Sequence, residues 1–148
     1  LGAGMPSQSG EDHDLLYRLI RAGYRSAFEP QMAIFHQHRR DMAGFRRQVG
    51  SWSAGTAAYM LKAYSREPQH RRTIAKFLVH LGVRKAGGLV ASLLGIRRYP
   101  WPAALAFSEL KGYFLGMAGA YERSVRAAEQ RNRVCSIRKQ QHETATML

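Results

Sequence analysis

The sequence predicts a mainly α-helical chain with a small β component. Apolar residues return at intervals of three and four through most of its length, and Gly and Pro break that pattern at only a few places. One stretch, residues 24–35, replaces it with two short apolar runs separated by Glu29-Pro30. The spacing argues for helices, the breaks set their ends, and the exceptional stretch supplies the β component.

Residues 1–9 are rich in Gly, Ser and Pro and read as a loop or a frayed end. Over residues 12–22, Leu15, Leu16, Leu19 and Ile20 form one apolar stripe while Arg18 and Arg21 lie off it, and Gly23 ends that helix. Residues 24–28 and 32–35 are expected to form two short strands, or one strand and an extended arm, because Glu29-Pro30 favours an extended entry. His36, Gln37, His38 and Arg39 follow at once.

Asp41 caps a second helix, with Phe45, Val49, Trp52, Thr56, Tyr59, Met60 and Ala63 returning to one side. Gly50 and Gly55 are expected to weaken it, each by up to about 1 kcal/mol relative to Ala. Pro68 starts a basic helix carrying Ile74, Phe77, Leu78 and Leu81, which Gly82 is expected to stop. A shorter apolar helix over 86–96 lies between the pairs Arg84-Lys85 and Arg97-Arg98. Pro100 and Pro102 bracket Trp101, after which a long helix over 105–130 turns Leu110, Phe114, Met117, Tyr121 and Val125 inward. Residues 131–148 are polar and basic without a period, which predicts a disordered tail.

At 148 residues, with 45% hydrophobic and 10% aromatic content, the chain suffices for one domain with a core but not for two large ones. Lys and Arg number 23 against 10 Asp and Glu, a formal charge of +13 that points to an anionic partner without choosing among nucleic acid, acidic lipid and phosphorylated substrate. Cys135 is the only cysteine, so neither an intramolecular disulfide nor a thiolate metal cage can form, which fits a reducing, cytoplasmic setting. The first residues do not read as a signal peptide, and the chain begins with Leu1, as a piece of a longer protein would. No run approaches the roughly 20 apolar residues that cross a bilayer.

Two clusters can carry chemistry. Glu11, Asp12 and Asp14 lie in the first turn of a helix, where backbone N–H groups and the dipole stabilise negative charge, so a capping role is open to them. Asp12 and Asp14 point to different sides of that helix, which excludes a metal-binding Asp-x-Asp there. His36 and His38 share a face of an extended segment and could ligate one metal, although two histidines alone make a poor zinc site and the residues by themselves read first as a solvent-facing polar loop.

Spacing adds to these readings. The run Gly10-Glu11-Asp12-x-Asp14-Leu15-x-x-Arg18-Leu19, followed by Ala22-Gly23-Tyr24, Pro30, Ala33 and His36-x-His38-Arg39, resembles the C-terminal half of the catalytic domain of family 2 glycosyltransferases over about residues 10–64. Those enzymes are inverting and have the GT-A fold. The resemblance implies the C-terminal remnant of a GT-A α/β domain over 10–64; the cation pairs and apolar segments of 65–130 read, apart from it, as a basic helical extension open to a membrane-peripheral role. It also implies transfer of a sugar from a nucleotide-sugar donor to a hydroxyl of a polysaccharide or lipid-linked glycan acceptor. Asp12 would be the general base, Glu11 would help place the acceptor, and His36 would hold a divalent metal, Mg or Mn, that neutralises the departing diphosphate. His38 and Arg39 would lie nearby, with Arg39 on phosphate.

Gln48-x-x-Ser51-Trp52 is similar to the Gln-x-x-Arg-Trp motif of processive members, but Ser51 stands where Arg would be, which argues against a processive synthase. Gln48 and Trp52 remain candidates for the acceptor site, Trp52 being equally readable as a core aromatic. The family's donor-binding strands and its Asp-x-Asp lie upstream of the Glu-Asp pair, where this chain has only its first ten residues. The resemblance therefore implies a C-terminal fragment that lacks the donor half and is inactive alone.

Beyond Pro68, cation pairs separate apolar helical segments, and Tyr99, Trp101 and Tyr113 suit a membrane interface. A peripheral position at the inner face of the plasma membrane and an ordinary solvated basic surface are both open. Gly112-x-x-x-Gly116 permits close helix packing. A non-enzymatic module that binds nucleic acid is the alternative from another class. Against it, the aromatics fall on apolar stripes and do not interleave with the cations as a base-stacking platform requires.

Overall fold

The structure, a computed structural model, describes residues 1–35, 41–96 and 101–146. They form α1 (Glu11–Arg21), α2 (Met42–Arg66), α3 (Arg71–Leu93), α4 (Ala103–Met117) and α5 (Ala120–Thr146), with one 3₁₀ turn at Pro68–His70 before α3. α2 and α4 form the centre, α3 packs on both, and α1 and α5 attach to α2.

The expected β component is absent among the described residues, and with it the remnant of a GT-A α/β domain. Residues 24–28 and 32–35 have no strand geometry. They are joined by a turn in which Met32 N–H donates to Glu29 O at 3.1 Å and Gln31 N–H to the Glu29 carboxylate at 3.0 Å. A strand exists only as part of a ladder, and neither run pairs with another segment. Apolar composition alone therefore leaves them outside any regular element and exposed, with Phe28, Ile34 and Phe35 almost wholly in solvent.

The central contact is made by small residues. A Cβ built on Gly112 of α4 would lie 2.0 Å from the carbonyl oxygen of Gly50 on α2, and one on Gly116 would lie 2.4 Å from that of Ala54. Backbones this close leave room for hydrogen only, as the Gly112-x-x-x-Gly116 spacing permits. Ala54 and Ala57 stand against Gly116 in the same seam, and they, Ala58 and Ala106 are fully buried. Gly50 is thus half of a close approach, whatever it costs α2 as an isolated helix. The larger side chains lie beside it, where Ala57, Leu78 and Tyr113 form a core flanked by Met60, Leu61, Ile74, Leu81 and Met117.

Two expected helix ends move. Gly82 does not stop α3; it admits the ring of Tyr113, whose atoms stand 3.1–3.2 Å from where a Cβ would be, and the Tyr113 hydroxyl donates to Leu78 O at 2.9 Å. Tyr113 is therefore a core residue, not a membrane-interface aromatic. The helix expected over 105–130 is divided at Gly119, whose φ of 84° belongs to the left-handed region, and α5 then continues to Thr146 through residues read as an irregular tail. Lys85, of the Arg84-Lys85 pair expected to separate two helical segments, is buried within α3 and donates to Glu109 of α4 at 2.6 Å. The expectations at Asp41 and Gly23 hold: the Asp41 carboxylate accepts from Gly44 N–H at 2.6 Å, and Gly23 follows α1 with φ 85°. Arg97, Arg98, Tyr99 and Pro100 lie outside the described residues.

Gly112→Ala should destabilise the chain by roughly 1–3 kcal/mol through overpacking of the seam. Gly87→Ala, where a Cβ meets nothing within 4 Å, should stabilise it by roughly 0.5–1 kcal/mol through helix propensity. Thermal unfolding of the two variants checks the opposite signs.

Candidate functional site

Sequence puts an acidic pair at the start of α1, and the N-terminal loop fixes where that start lies. Ser7 N–H donates to Ser124 Oγ on α5 at 2.9 Å, Ser124 Oγ donates to Ala120 O at 2.7 Å, and Gly2 N–H donates to Ser7 Oγ at 3.0 Å. Both serines are almost wholly buried. Ser9 Oγ then donates to Ser51 O on α2 at 2.9 Å. Gly10, with φ 98°, lies so close to α2 that a Cβ would stand 2.8 Å from Gly55 O. Residues 1–9 are thus a clamped loop that joins α5 to α2, and α1 begins beside the turn of α2 that bears Trp52.

α1 turns its polar side to α2. The Asp14 carboxylate accepts from Lys62 Nζ at 2.5 Å and pairs with Arg18 at 3.4 Å, and Arg21 reaches Glu67 at 3.3 Å. Tyr17 meets the Tyr59 ring edge-on, with centroids 6.1 Å apart. Between the helices lies a cavity of about 410 Å³ lined by these charged groups and by Arg66. The apolar stripe of Leu15, Leu16, Leu19 and Ile20 faces outward, and α1 has no buried residue. Asp12 precedes Leu16 by one turn, so it belongs to that outward side.

No side chain caps α1: Gly10 occupies the cap position, and the acids of the first turn lie at the positive end of the helix dipole. The Asp12 carboxylate instead accepts from His13 N–H at 2.9 Å and contacts His13 Nδ1 at 3.0 Å, both through Oδ1. The backbone N–H of His13 holds the Asp12 carboxyl below its ordinary value of 3.8; slight desolvation opposes this, and the His13 ring adds to it. The Glu11 side chain folds back over Gly2.

Gln48 and Trp52 come together. With Gln8, Ser9, Arg47 and Ser51 they line a cavity of about 330 Å³, and Trp52 is 51% exposed there and outside the core. A second cavity of about 630 Å³ shares Gln8, Arg47 and Ser51 and extends to Arg46, Phe107 and Lys111 between α2 and α4. Its charged lining residues are all basic. Ser7 and Ser9 are marked in the sequence only by a Ser-Gln-Ser-Gly run before the acidic pair, Arg46 and Arg47 only by an Arg-Arg pair on an amphipathic helix, and Ser124 by no motif. His36, His38 and Arg39 lie outside the described residues. Among the described residues, no group of three His, Cys, Asp or Glu side chains could hold a metal ion.

No family model matches the chain, and no solved structure matches it. It is similar to pre-mycofactocin glycosyltransferase of Mycobacterium tuberculosis, with 33% identity over 104 residues in both strain CDC 1551 / Oshkosh and strain ATCC 25618 / H37Rv. The match takes in 70% of this chain and 20% of those proteins, so the chain matches only about a fifth of the relatives' length.

Carboxyl chemical shifts followed through acid should place the Asp12 midpoint below 3.8, and His13→Ala should move it only part of the way back, because the backbone N–H remains. Since its folded value is depressed, Asp12 contributes stability that is present above its unfolded value and lost as pH falls through the folded one. Full return in His13→Ala would assign the effect to the ring instead.

Proposed function

We propose that the chain carries the acceptor side of a glycosyltransferase, and that donor binding is supplied from outside these 148 residues. The observation that carries this reading is the 33% identity to a glycosyltransferase over 104 residues. The acidic pair and the Trp52 cavity on neighbouring turns of α1 and α2 support it.

In this reading an acceptor hydroxyl approaches Asp12 from the outward side of α1. The hydroxyl oxygen attacks the anomeric carbon of a nucleotide sugar, the bond from that carbon to the diphosphate oxygen breaks, and the proton passes to Asp12. Attack opposite the leaving group inverts the anomeric centre. Asp12 Oδ1 is engaged by His13, which makes Oδ2 the oxygen for the proton. The carboxylate is ionised at neutral pH and, in this chain alone, a weak base; burial by a donor-binding part would raise its pKa and strengthen it. Glu11 assists in placing the acceptor, and Gln48 and Trp52 form its wall, an apolar ring being suited to a sugar face. Arg47, and Arg39 by sequence, are the candidates for phosphate contact.

The proposal includes a divalent metal, Mg or Mn, held in part by His36. The described residues by themselves assemble no set of three ligands for such an ion. When bound, such an ion neutralises charge on the leaving diphosphate.

The test is made in the longest natural polypeptide that contains this sequence, with UDP- and GDP-sugars as donors. Acceptors are simple glycosides and, following the relative's name, pre-mycofactocin. Asp12→Asn should lower turnover by roughly 10²–10⁴-fold while donor binding is retained. Undiminished turnover would remove Asp12 from the role. Sugar transfer by the 148-residue chain alone would refute the external donor site.

A further inference from the structure

The side of α3 that faces away from α2 and α4 reads, along one line, Arg72, Lys76, Val79, Val83, Val90 and Leu94. Their spacing of three, four and seven keeps them on one stripe, and Leu78, Lys85 and Gly88 on the opposite side are the buried residues of the helix. Val79, Val83, Val90 and Leu94 are each more than half exposed. From Val79 to Leu94 the apolar row is about 22 Å long at 1.5 Å per residue. α3 contains no acidic residue, and Arg72 and Lys76 extend the row at its N-terminal end. Across residues 68–121 there are eight Lys and Arg and one acid, Glu109, which is already paired with Lys85.

We propose that this face of α3 docks on an anionic lipid bilayer, lying in the interface with its valine row in the acyl boundary and its cations among the headgroups. Three features select this occupant. A row of aliphatic side chains gains by leaving water, and its basic end adds attraction to acidic headgroups; a lipid surface offers both at once. A nucleic-acid backbone would satisfy the cations but leave the valines against phosphate, and the row has neither an aromatic platform nor a polar donor for bases. A second copy of this chain would bring another +13 charge and no acid on the apposed face to meet Arg72 and Lys76. The mode is peripheral, since among the described residues no helix is long and apolar enough to cross a membrane. It also differs from docking through interface aromatics, because Tyr113 is buried. The inference stands apart from the catalytic reading, since it uses none of the α1 residues.

The test is co-sedimentation of the chain with phosphatidylglycerol-containing vesicles and with pure phosphatidylcholine vesicles, each at low and high salt. Binding to the anionic vesicles should exceed binding to the neutral ones roughly tenfold and should weaken with salt. The double variant Val83→Ser, Val90→Ser should lose roughly tenfold in anionic-vesicle binding with unchanged helix content, since both side chains are exposed in the free chain. In a Cys135→Ser background, a polarity-sensitive dye on Val83→Cys should brighten on binding. The proposal is overturned if the double variant binds as the parent does, if the dye remains in water, or if neutral vesicles bind equally well. It is also overturned if RNA or DNA binds while anionic vesicles do not, or if the double variant dissociates a dimer that otherwise covers this face.

Discussion

Two helices can bring their backbones to near contact only where at least one of them carries no side chain, and the seam between α2 and α4 is such a place. Gly112 and Gly116 of α4 meet Gly50, Ala54 and Ala57 of α2 with no space for a further carbon. Dispersion between closely packed backbone atoms, individually weak, accumulates along this seam. The alanines bury little apolar area each, so the seam contributes through closeness more than through hydrophobic mass. The larger side chains, Leu78 and Tyr113, are pushed to its α3 side, and Gly82 opens there for the tyrosine ring. Lys85 can enter the protein only because Glu109 meets it; removing either partner would leave a charge in a poorly solvated place.

The same seam organises the candidate site. Its α2 surface receives the N-terminal loop, where the contact of Gly10 with Gly55 repeats the logic of backbone against backbone. Buried Ser7 and Ser124 satisfy the loop's polar groups and tie it to α5. α1 is then attached through ion pairs and tyrosine edges, which reverses the usual arrangement: its charged side faces the protein and its leucines face out. Asp12 shares that outward side, so an acceptor and a donor would approach from where the leucines are exposed.

Much of the helical content was legible in advance, because it follows from local rules: a carboxylate at Asp41 for an exposed N–H, a left-handed Gly23 after α1, and small residues four apart at Gly112 and Gly116. The errors share another cause. Apolar residues at 24–28 and 32–35 meet the local preference for strands, but a ladder needs a partner that the described residues do not provide. Gly82 looked like a stop because its neighbour in space, Tyr113, is 31 positions away in sequence. Trp52 suits a core position equally well by its helical spacing, and only the folded chain shows it half-exposed beside Gln48. For the site, the acidic pair and Gln48 with Trp52 could be picked out by motif. The serine relay that positions them could not, because its partners are joined only by folding.

The most direct test of the acceptor-side claim is an NMR titration of the 148-residue chain, run once with soluble glycosides and once with UDP and GDP. The account predicts that glycosides shift the Trp52 indole and the amides of Gln48, Glu11 and Asp12, while the nucleotides leave those signals unmoved. Nucleotide-induced shifts at these residues, with none from any glycoside, would contradict it.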